Sequence, residues 1–358
     1  MHLLVDISAH GLGHLSQTAP VIEGIQLRVP KLRMTRRSAL PRFRLDRAIA
    51  TTFEHVPEAR DFGFVMRNAV DIDLAASAKA YSDFHRYWQE QVAAEASWLT
   101  ENGVDAVFTN VAYLPLAAAA KAGIPSASLC SINWADLFIH YFAGEPWAQK
   151  IYEEILSAYM DACCFLRVSP GLPMTNLVRR RDIGAIARVG RRDRPSMSRR
   201  LNISEENRWI LLAMGGMDFR LPVESWPRVP GLDWLVPDAW QVIREDARAF
   251  DNAGIDFSDM LASVDAVITK PGYGTFVEAA CSGVPVLYLQ RDDWPETPYL
   301  SAWLATNARS RVLTRSSLMR GELIDELTQL WNDPAPPTPF ATGADEAIEL
   351  LEKIVRLR

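Results

Sequence analysis

Short apolar runs alternate with stretches of helical spacing along the first half of the chain. The run "HLLVDI" stops at Ser8-Ala9-His10-Gly11, and "LSQTAPVIEGIQL" then spaces its apolar residues as a helix does. Alternation of this kind predicts a parallel sheet layered with helices. Residues 74–101 have aromatic residues at helical spacing and predict one long helix. The same order of strand, helix and strand recurs in "DAVFTN" (105–110), "YLPLAAAAKAG" (113–123) and "IPSASLCS" (124–131).

The pattern starts again in the second half of the chain. After an Arg-, Ser- and Pro-rich stretch around residues 190–205, "RWILLAMGG" predicts a strand that ends in paired glycines. Strand, helix and strand follow over residues 263–290, whereas the Pro- and Trp-rich stretch 217–255 gives no clear element. We therefore expect two Rossmann-like α/β domains, residues 1–195 and 196–341, and an amphipathic helix within 342–358 that packs back on the first domain.

Length and composition agree with a two-domain globular protein. The chain has 358 residues, of which 49% are hydrophobic and 23% charged, so it can bury a large core. The N-terminus shows no basic leader before an apolar region, and the apolar runs fall short of the roughly 20 residues of a membrane span. The four cysteines form neither a disulfide framework nor a zinc pattern. We expect a cytoplasmic protein.

The net charge of −6 argues against nucleic-acid binding but hides two basic stretches, residues 28–47 and 179–200. Each is either a solvated face or an electropositive patch that attracts phosphates or an anionic surface. A patch near the site would favour a lipid-linked or acidic acceptor and peripheral contact with the inner face of a membrane. The arginines concerned are Arg36, Arg37, Arg42 and Arg44.

The stretch "KPGYGTFVEA" indicates a phosphate cradle. In open parallel sheets, ligands collect at the carboxyl ends of strands, where helix N-termini point. Gly272 and Gly274 let the backbone approach a ligand, Thr275 adds a hydroxyl, and the following helix aims N–H groups and its positive dipole end at them. Glu278, one turn further on, can accept hydrogen bonds from a ribose diol, and Lys270 precedes the turn. The alternative is a tight turn with a glutamate that complements the helix dipole.

Two further strand ends carry groups that can bind a ligand. "LLAMGGMD" puts Gly215 and Gly216 after the first strand of the second domain, and "QRDDWPETPY" contributes Arg291, Asp292 and Glu296. The sequence has neither a P-loop nor a strand-anchored Gly-x-Gly-x-x-Gly, so ATP hydrolysis and dinucleotide redox chemistry lose support. We expect no metal and no cofactor.

The first domain offers a candidate base. His14 begins the helix after the opening strand, His10 lies just upstream, and Gly11 and Gly13 leave room for a substrate. A neutral imidazole there can deprotonate an acceptor hydroxyl, although one histidine in a turn can equally be a backbone cap. Further polar candidates near strand ends are Asp6, Asn110, Asn133 and, as a catalytic group, Asp136.

With these residues assembled, the chain resembles glycosyltransferases of the GT-B architecture, in which two Rossmann-like domains face each other across a cleft. "HGLGH" and "KPGYGTFVEAACSGVPVLYL" carry the resemblance. The second stretch is similar to the donor-binding segment of the peptidoglycan N-acetylglucosaminyltransferase. That resemblance implies that Gly274 and Thr275 hold the diphosphate of a nucleotide-sugar and that Glu278 holds its ribose.

A closer resemblance is to the glycosyltransferase-like N-terminal half of plant-type L-arabinokinases and its free-standing bacterial relatives. It covers most of the chain, including "PGLPM" and "KPGYGTFVEAACSGVPVLYLQRDDWPETPYL". No kinase-type glycine-rich ATP motif follows residue 300, so we do not expect sugar phosphorylation. The related proteins generally carry arginine where this chain has Gln17, and an acidic residue where it has Asn110. His14 would then need another orienting group, such as Asp6 or Asp136.

Three functions follow from these features. The leading hypothesis is a metal-independent, inverting transfer of a sugar from a nucleoside diphosphate donor to an acceptor hydroxyl, with His14 as base. A nucleotide-sugar 2-epimerase uses the same two-domain architecture and needs carboxylates that flank the sugar. A non-catalytic nucleotide-sugar-binding protein is favoured by Gln17 and Asn110. The nucleobase, the sugar, the acceptor and the oligomeric state stay open.

Overall fold

A computed structural model describes residues 1–68, 70–215, 219–251 and 253–356 of the chain. The chain divides into two compact units. The first comprises Met1–Arg67, Asp71–Ile186 and the chain from Ala341 onward, and the second comprises Asn68–Val70 and Ala187–Phe340. The sequence placed the boundary near residue 195, whereas the chain passes from the first unit to the second after Ile186.

A parallel sheet forms the centre of the first unit. The strands that the structure describes there are β1 (His2–Ile7), β2 (Arg33–Arg37), β3 (Glu54–Val56), β4 (Ala106–Asn110), β5 (Ser126–Cys130), β6 (Cys164–Val168) and β7 (Arg180–Ile183). Their order is β3-β2-β1-β4-β5-β6-β7, and every pair in it is parallel. The fully buried β1 and β4 lie at the middle, as expected for a sheet covered on both faces.

Helices connect these strands and cover the sheet. They are α1 (Leu12–Arg28), α2 (Arg42–Ala48), α3 (Leu74–His85), α4 (Trp88–Glu101), α5 (Leu114–Ala122), α6 (Trp134–Phe142) and α7 (Ala148–Asp161). The prediction of a single helix over residues 74–101 is wrong. The chain leaves helical geometry at Tyr87, and the side-chain amide of Gln91 donates to the Phe84 carbonyl at this break.

The second unit repeats the layered design. Its described elements, continuing the numbering along the chain, are α8 (Arg194–Leu201), β8 (Arg208–Ala213), β9 (Leu232–Val236), β10 (Ala247–Ala249), α9 (Phe257–Ser263), β11 (Ala266–Thr269), α10 (Tyr273–Cys281), β12 (Val286–Leu289), α11 (Thr297–Asn307), β13 (Ser310–Leu313), α12 (Arg315–Arg320) and α13 (Ile324–Asn332). The strands form a parallel sheet in the order β10-β9-β8-β11-β12-β13. The Pro- and Trp-rich stretch 217–255, for which the sequence predicted no clear element, therefore supplies β9 and β10.

The last described helix, α14 (Gly343–Arg356), groups with the first unit and packs on α1. A Cβ atom at Gly24 of α1 would lie 2.2 Å from Cδ1 of Ile348, so a larger residue there would force the Ile348 side chain to shift. Arg28 adds ion pairs to Asp345 at 3.8 Å and Glu352 at 3.6 Å. Among the described helices, none combines the length and apolar character needed to cross a membrane.

Candidate functional site

The turn between β1 and α1 and the first turn of α1 carry His10 and His14, referred to below as the imidazole pair. Gly11 is the N-cap of α1, so His14 occupies the third helical position. A Cβ atom added at Gly11 or at Gly13 would meet no atom within 4 Å. Packing therefore does not require glycine at either position, and both leave open space beside the imidazole.

His14 is held from one side of its ring. Its Nδ1 atom lies 2.6 Å from Oδ1 of Asn110 and 3.7 Å from Sγ of Cys130. The amide oxygen can only accept, so the proton of the neutral ring belongs on Nδ1 and the lone pair on Nε2. No hydrogen bond from a described residue reaches Nε2. The geometry leaves this nitrogen ready to take a proton.

Burial lowers the pKa of His14 to about 4, and the hydrogen bond to Asn110 opposes this only in part. The side chain is 7% exposed. The ring is therefore neutral at physiological pH, the state that a general base requires. Because Asn110 is an amide, it orients the ring without providing the negative charge that a carboxylate would give.

Asp6 does not orient His14. Its carboxylate pairs with the Arg37 guanidinium at 2.5 Å, and Arg37 also binds Glu95. All three groups are buried. The expectation that Asp6 can orient His14 is therefore wrong, because its carboxylate forms an ion pair with the fully buried Arg37.

Asn133 and Asp136 form the cap of α6. The Asn133 side chain accepts from the Asp136 backbone N–H at 2.7 Å, and its amide donates to the Asp136 carboxylate at 2.9 Å. The Asn133 side chain thus caps the helix by binding one of its free N–H groups, and the Asp136 carboxylate holds that side chain in place. Burial raises the pKa of Asp136. The residue that meets His14 Nδ1 is Asn110, not Asp136.

The backbone after Asn110 is strained. Val111 has φ of +66°, in the left-handed region that a β-branched residue rarely adopts. The Tyr159 hydroxyl donates to the Val111 carbonyl at 2.6 Å and also accepts the Trp134 backbone N–H at 3.2 Å. Strain held by surrounding contacts is typical of functional sites, and here it follows the residue that orients His14.

Gln17 links α1 to the end of β5. Its amide nitrogen donates to the Ser131 hydroxyl at 2.9 Å, and its oxygen accepts the Ser131 backbone N–H at 3.2 Å. Gln17 is buried, so its two polar ends are both used internally.

Sequence reasoning missed Asp61, which lies in the same region. Its Oδ2 atom accepts the indole N–H of Trp134 at 2.8 Å, and the Trp134 ring packs against His10 and His14. The signal was an acidic residue directly before an aromatic-glycine-aromatic stretch in "RDFGF", outside any predicted strand end.

In the second unit, the N-terminus of α10 meets a lysine. Gly272 is the N-cap, and the first N–H groups of a helix, here including those of Gly274 and Thr275, have no internal partner. The Nζ atom of Lys270 lies 3.8 Å from the position of a Cβ at Gly272, and the same distance from one at Gly215. Gly215 has φ of +90°. The ammonium therefore lies between the two predicted glycine turns. Gly216, the other glycine of its turn, is outside the described residues.

Burial lowers the pKa of Lys270 to about 8, the nearby Arg291 adds to this effect, and Glu296 opposes it. Arg291 is 8% exposed and stacks on Trp294, with 4.6 Å between its guanidinium carbon and the ring centroid. Its Nε atom donates to Asp293 at 3.2 Å, whereas its Nη2 finds no acceptor in the described part of the chain. Two cations held close together with a free donor favour an anion between them.

The remaining donor-side candidates have partners of their own. Glu278 is buried and accepts the backbone N–H of Arg188, and burial raises its pKa to about 7. Glu296 accepts the Trp294 indole N–H at 3.2 Å. Asp292 is exposed and accepts from the Gln290 side chain at 2.8 Å. Within the described ranges, no group of three His, Cys, Asp or Glu side chains could hold a metal ion.

Two arginines of the first basic stretch do not reach the surface. Arg36 and Arg37 are fully buried in β2. Arg36 donates to Thr51 and Gln26 and lies 4.0 Å over the Phe53 ring. The alternative in which Arg36 and Arg37 join Arg42 and Arg44 in one surface patch is therefore contradicted, because Arg36 and Arg37 are buried and bind groups within the first unit.

No protein-family model matches the chain. It is 23% identical over 328 residues to L-arabinokinase of Arabidopsis thaliana, a match that covers 88% of this chain and 31% of that protein. The chain thus spans about a third of the length of the curated relative it matches. The resemblance stated from the sequence is confirmed.

Solved structures share the fold along nearly the whole chain. The glycotransferase of kitacinnamycin has a TM-score of 0.61 at 16% identity, covering 99% of this chain and 95% of that chain. The glycosyltransferase VinC, in complex with DTDP, has 0.59 at 16% identity, covering 100% and 99%. A candidate UDP-N-acetylglucosamine 2-epimerase from Listeria monocytogenes has 0.57 at 12% identity, covering 100% and 97%. The predicted GT-B fold class of two parallel α/β units is confirmed.

Proposed function

We propose that the protein is a glycosyltransferase that moves a sugar from a nucleoside diphosphate-sugar to an acceptor hydroxyl. One observation carries the proposal. In a chain with the fold of glycosyltransferases, the Lys270 ammonium lies between Gly215 and Gly272 at the N-terminus of α10. Glycine backbones, helix N–H groups and a cation together favour a diphosphate.

In this proposal the second unit binds the donor. Backbone N–H groups of Gly215, Gly216, Gly274 and Thr275 bind the diphosphate, with Gly272 opening the turn. Lys270 and Arg291 neutralise the charge that grows on the departing phosphate, which removes the need for a metal ion. Glu278 binds the ribose by exchanging its present backbone bond, while Asp292 and Glu296 contact the sugar.

The first unit binds the acceptor, with Gly11, Gly13, Asn110 and Asn133 around it. The acceptor oxygen attacks the anomeric carbon as the bond from that carbon to the phosphate oxygen breaks. The acceptor proton passes to Nε2 of His14, and the nucleoside diphosphate leaves with the bonding electron pair. One displacement inverts the anomeric configuration. The neutral state of His14 and its Nδ1 bond to Asn110 support this role.

A 2-epimerase is the second candidate, favoured by the fold match to the Listeria monocytogenes protein. Such an enzyme needs carboxylates beside the sugar to remove and return protons. Asp292 and Glu296 are the carboxylates proposed there. A new sugar formed from the nucleotide-sugar alone would identify this activity.

The test is incubation with UDP-, dTDP-, GDP- and CDP-sugars, with and without a broad panel of hydroxyl acceptors, followed by mass spectrometry. We expect a glycosylated acceptor and free nucleoside diphosphate only when an acceptor is present. His14→Ala should abolish the product, whereas His140→Ala, which alters an exposed histidine of the same unit, should not. Donor binding without any product would identify a non-catalytic binding protein and overturn the proposal.

A further inference from the structure

Asp61 is a buried carboxylate in the part of the first unit that holds the imidazole pair. Asp61 is 8% exposed and belongs to the chain segment that connects β3 to α3. Oδ2 accepts the indole N–H of the fully buried Trp134 at 2.8 Å, and the Ser8 side chain forms a second hydrogen bond to the carboxylate. These contacts tie Asp61 to the end of β1 and the start of α6.

The segment that carries Asp61 is packed against the imidazole pair through one indole. The Trp134 ring centroid lies 5.2 Å from that of His10 and 5.8 Å from that of His14. Gly63 has φ of +62°, and a Cβ there would lie 2.6 Å from Cδ2 of His10 and 2.8 Å from Cη2 of Trp134. Glycine is therefore required for this segment to approach the two rings.

The carboxylate lacks a compensating charge. Within the described ranges, no Arg or Lys pairs with Asp61, and its Oδ1 has no hydrogen-bond partner. The buried Arg37 is paired with Asp6 and Glu95, and Arg60, which precedes Asp61 in the chain, is paired with Glu58 and Glu95. Burial raises the pKa of Asp61 to about 7, and the hydrogen bond from Trp134 opposes this. A buried carboxylate of this kind costs stability, so a functional reason for it is expected.

The proposed reaction supplies such a reason, and the inference rests on that proposal. His14 gains a positive charge when it takes the acceptor proton, and Asn110 cannot balance it. We propose that Asp61 is a positioning residue, which holds Trp134 against both imidazoles and supplies the negative charge that supports the protonated His14. Its charge acts across the low-dielectric interior, where screening is weak.

The other titratable groups around Asp61 do not duplicate this role. Asp6 lies close enough to raise the pKa of Asp61, but Arg37 neutralises it. The tyrosines that sense Asp61 stay neutral because burial raises their pKa well above the usual range; they are Tyr81, Tyr113 and Tyr159. The imidazoles of His10 and His14 pack on the indole that donates to Asp61.

The test is NMR of the protein labelled with ¹⁵N-histidine, followed from pH 5.5 to about 8.5. Ionisation of Asp61 should move the ring nitrogen shifts of neutral His14, with an inflection near pH 7. Asp61→Asn keeps an oxygen for the Trp134 N–H and should remove the inflection. Trp134→Phe removes the N–H that favours the ionised carboxylate and should move the inflection to higher pH. Asp136→Asn, which changes another carboxylate of this unit, should leave it in place.

Flat His14 shifts in the unmodified protein, or an inflection that survives in Asp61→Asn, would overturn the inference. This readout needs no substrate, so it is separate from the proposed function. If the His14 shifts show the inflection but no sugar is transferred, the proposed glycosyltransferase function is contradicted and the link between Asp61 and His14 is not. Once transfer is measured, Asp61→Asn should lower kcat by about 10-fold, with the donor KM unchanged, and Asn110→Asp in the same chain should restore most of the loss. Transfer that depends on His14 but not on Asp61 would contradict the inference alone.

Discussion

The Nδ1 atom of His14 lies 2.6 Å from Oδ1 of Asn110 because two central strands bring their ends together. The register of β1 and β4 pairs Ile7 with Asn110, and the chain turns from Ile7 into the helix that carries His14. An amide at this position fixes the tautomer of the ring, but it supplies no negative charge to offset the desolvation of the protonated ring. The low pKa of His14 is the direct consequence.

Asn110→Asp should raise the pKa of His14 from about 4 to above its ordinary value of 6.5, because an ionised carboxylate favours the charged ring. A stronger base should speed transfer about 10-fold at pH 8, where the ring is again neutral, and add an acidic limb to the rate profile near pH 7. Titration of the His14 ring by NMR measures the shift directly. A midpoint that stays near 4 would show that the Asn110 position does not control the base.

His14→Gln should change the pH dependence of stability. The folded-state pKa of His14 is depressed, so the unfolded chain binds a proton more readily and stability is lost as the pH falls from 6.5 towards 4. Over that window the unmodified protein should lose about 3 kcal/mol of unfolding free energy relative to His14→Gln. Urea unfolding at a series of pH values measures it. Parallel curves for the two proteins would contradict the assigned pKa.

Gly13→Ala separates folding from binding. The added methyl meets no atom within 4 Å, and alanine in a helix is favoured over glycine, so the free energy of unfolding should rise by about 0.5–1 kcal/mol. The same methyl intrudes into the space proposed for the acceptor, so acceptor KM should rise while nucleotide affinity stays constant. Thermal unfolding and steady-state kinetics test the two halves. Unchanged kinetics would mean that the open space is not an acceptor site.

Nucleoside diphosphate affinity should depend on pH through Lys270. Its pKa is lowered to about 8, so the free protein loses the ammonium as the pH rises through that value, and affinity should fall between pH 7.5 and 9.5. A fall of about 10-fold is expected for one charge-assisted contact to phosphate. Arg199→Met, which removes an exposed cation of the same unit, should keep this slope. A flat profile would place Lys270 outside the binding site.

Arg37→Met should destabilise the fold strongly. It leaves the Asp6 and Glu95 carboxylates buried without their cation, a loss of about 3–5 kcal/mol in the free energy of unfolding. Arg42→Met, which removes an exposed arginine of the same basic stretch, should cost less than about 1 kcal/mol. Chemical denaturation compares them. Equal small losses would mean that the Arg37 network does not stabilise the first unit.

Local sequence signals predicted most of the fold because each depends on short-range periodicity. The strand at His2–Ile7 and the helix that ends before Gly123 follow directly from such patterns. The break at Tyr87 was missed, since aromatic spacing continues across it. The strands at Leu232–Val236 and Ala247–Ala249 were missed because proline and tryptophan obscure their pattern.

The candidate site residues were predictable only where they flank a glycine turn. Lys270, Gly272 and His14 were found that way. The partner of His14 was not, because the pairing of Ile7 with Asn110 is a property of sheet register. Arg36 and Arg37 look like surface charge in sequence, yet they lie on β2, an inner strand that is buried after its first residue. Asp61 lies in a loop, and only the tertiary structure brings it to Trp134.

Calorimetric titration of nucleoside diphosphates into the protein, with EDTA present, tests the central claim most directly. UDP, dTDP, GDP and CDP are compared for the unmodified protein, Lys270→Met and Arg199→Met. We predict that at least one binds with micromolar affinity, that Lys270→Met weakens it at least about 10-fold, and that Arg199→Met does not. No binding of any of the four, or equal affinity in Lys270→Met, would contradict a diphosphate site at the N-terminus of α10.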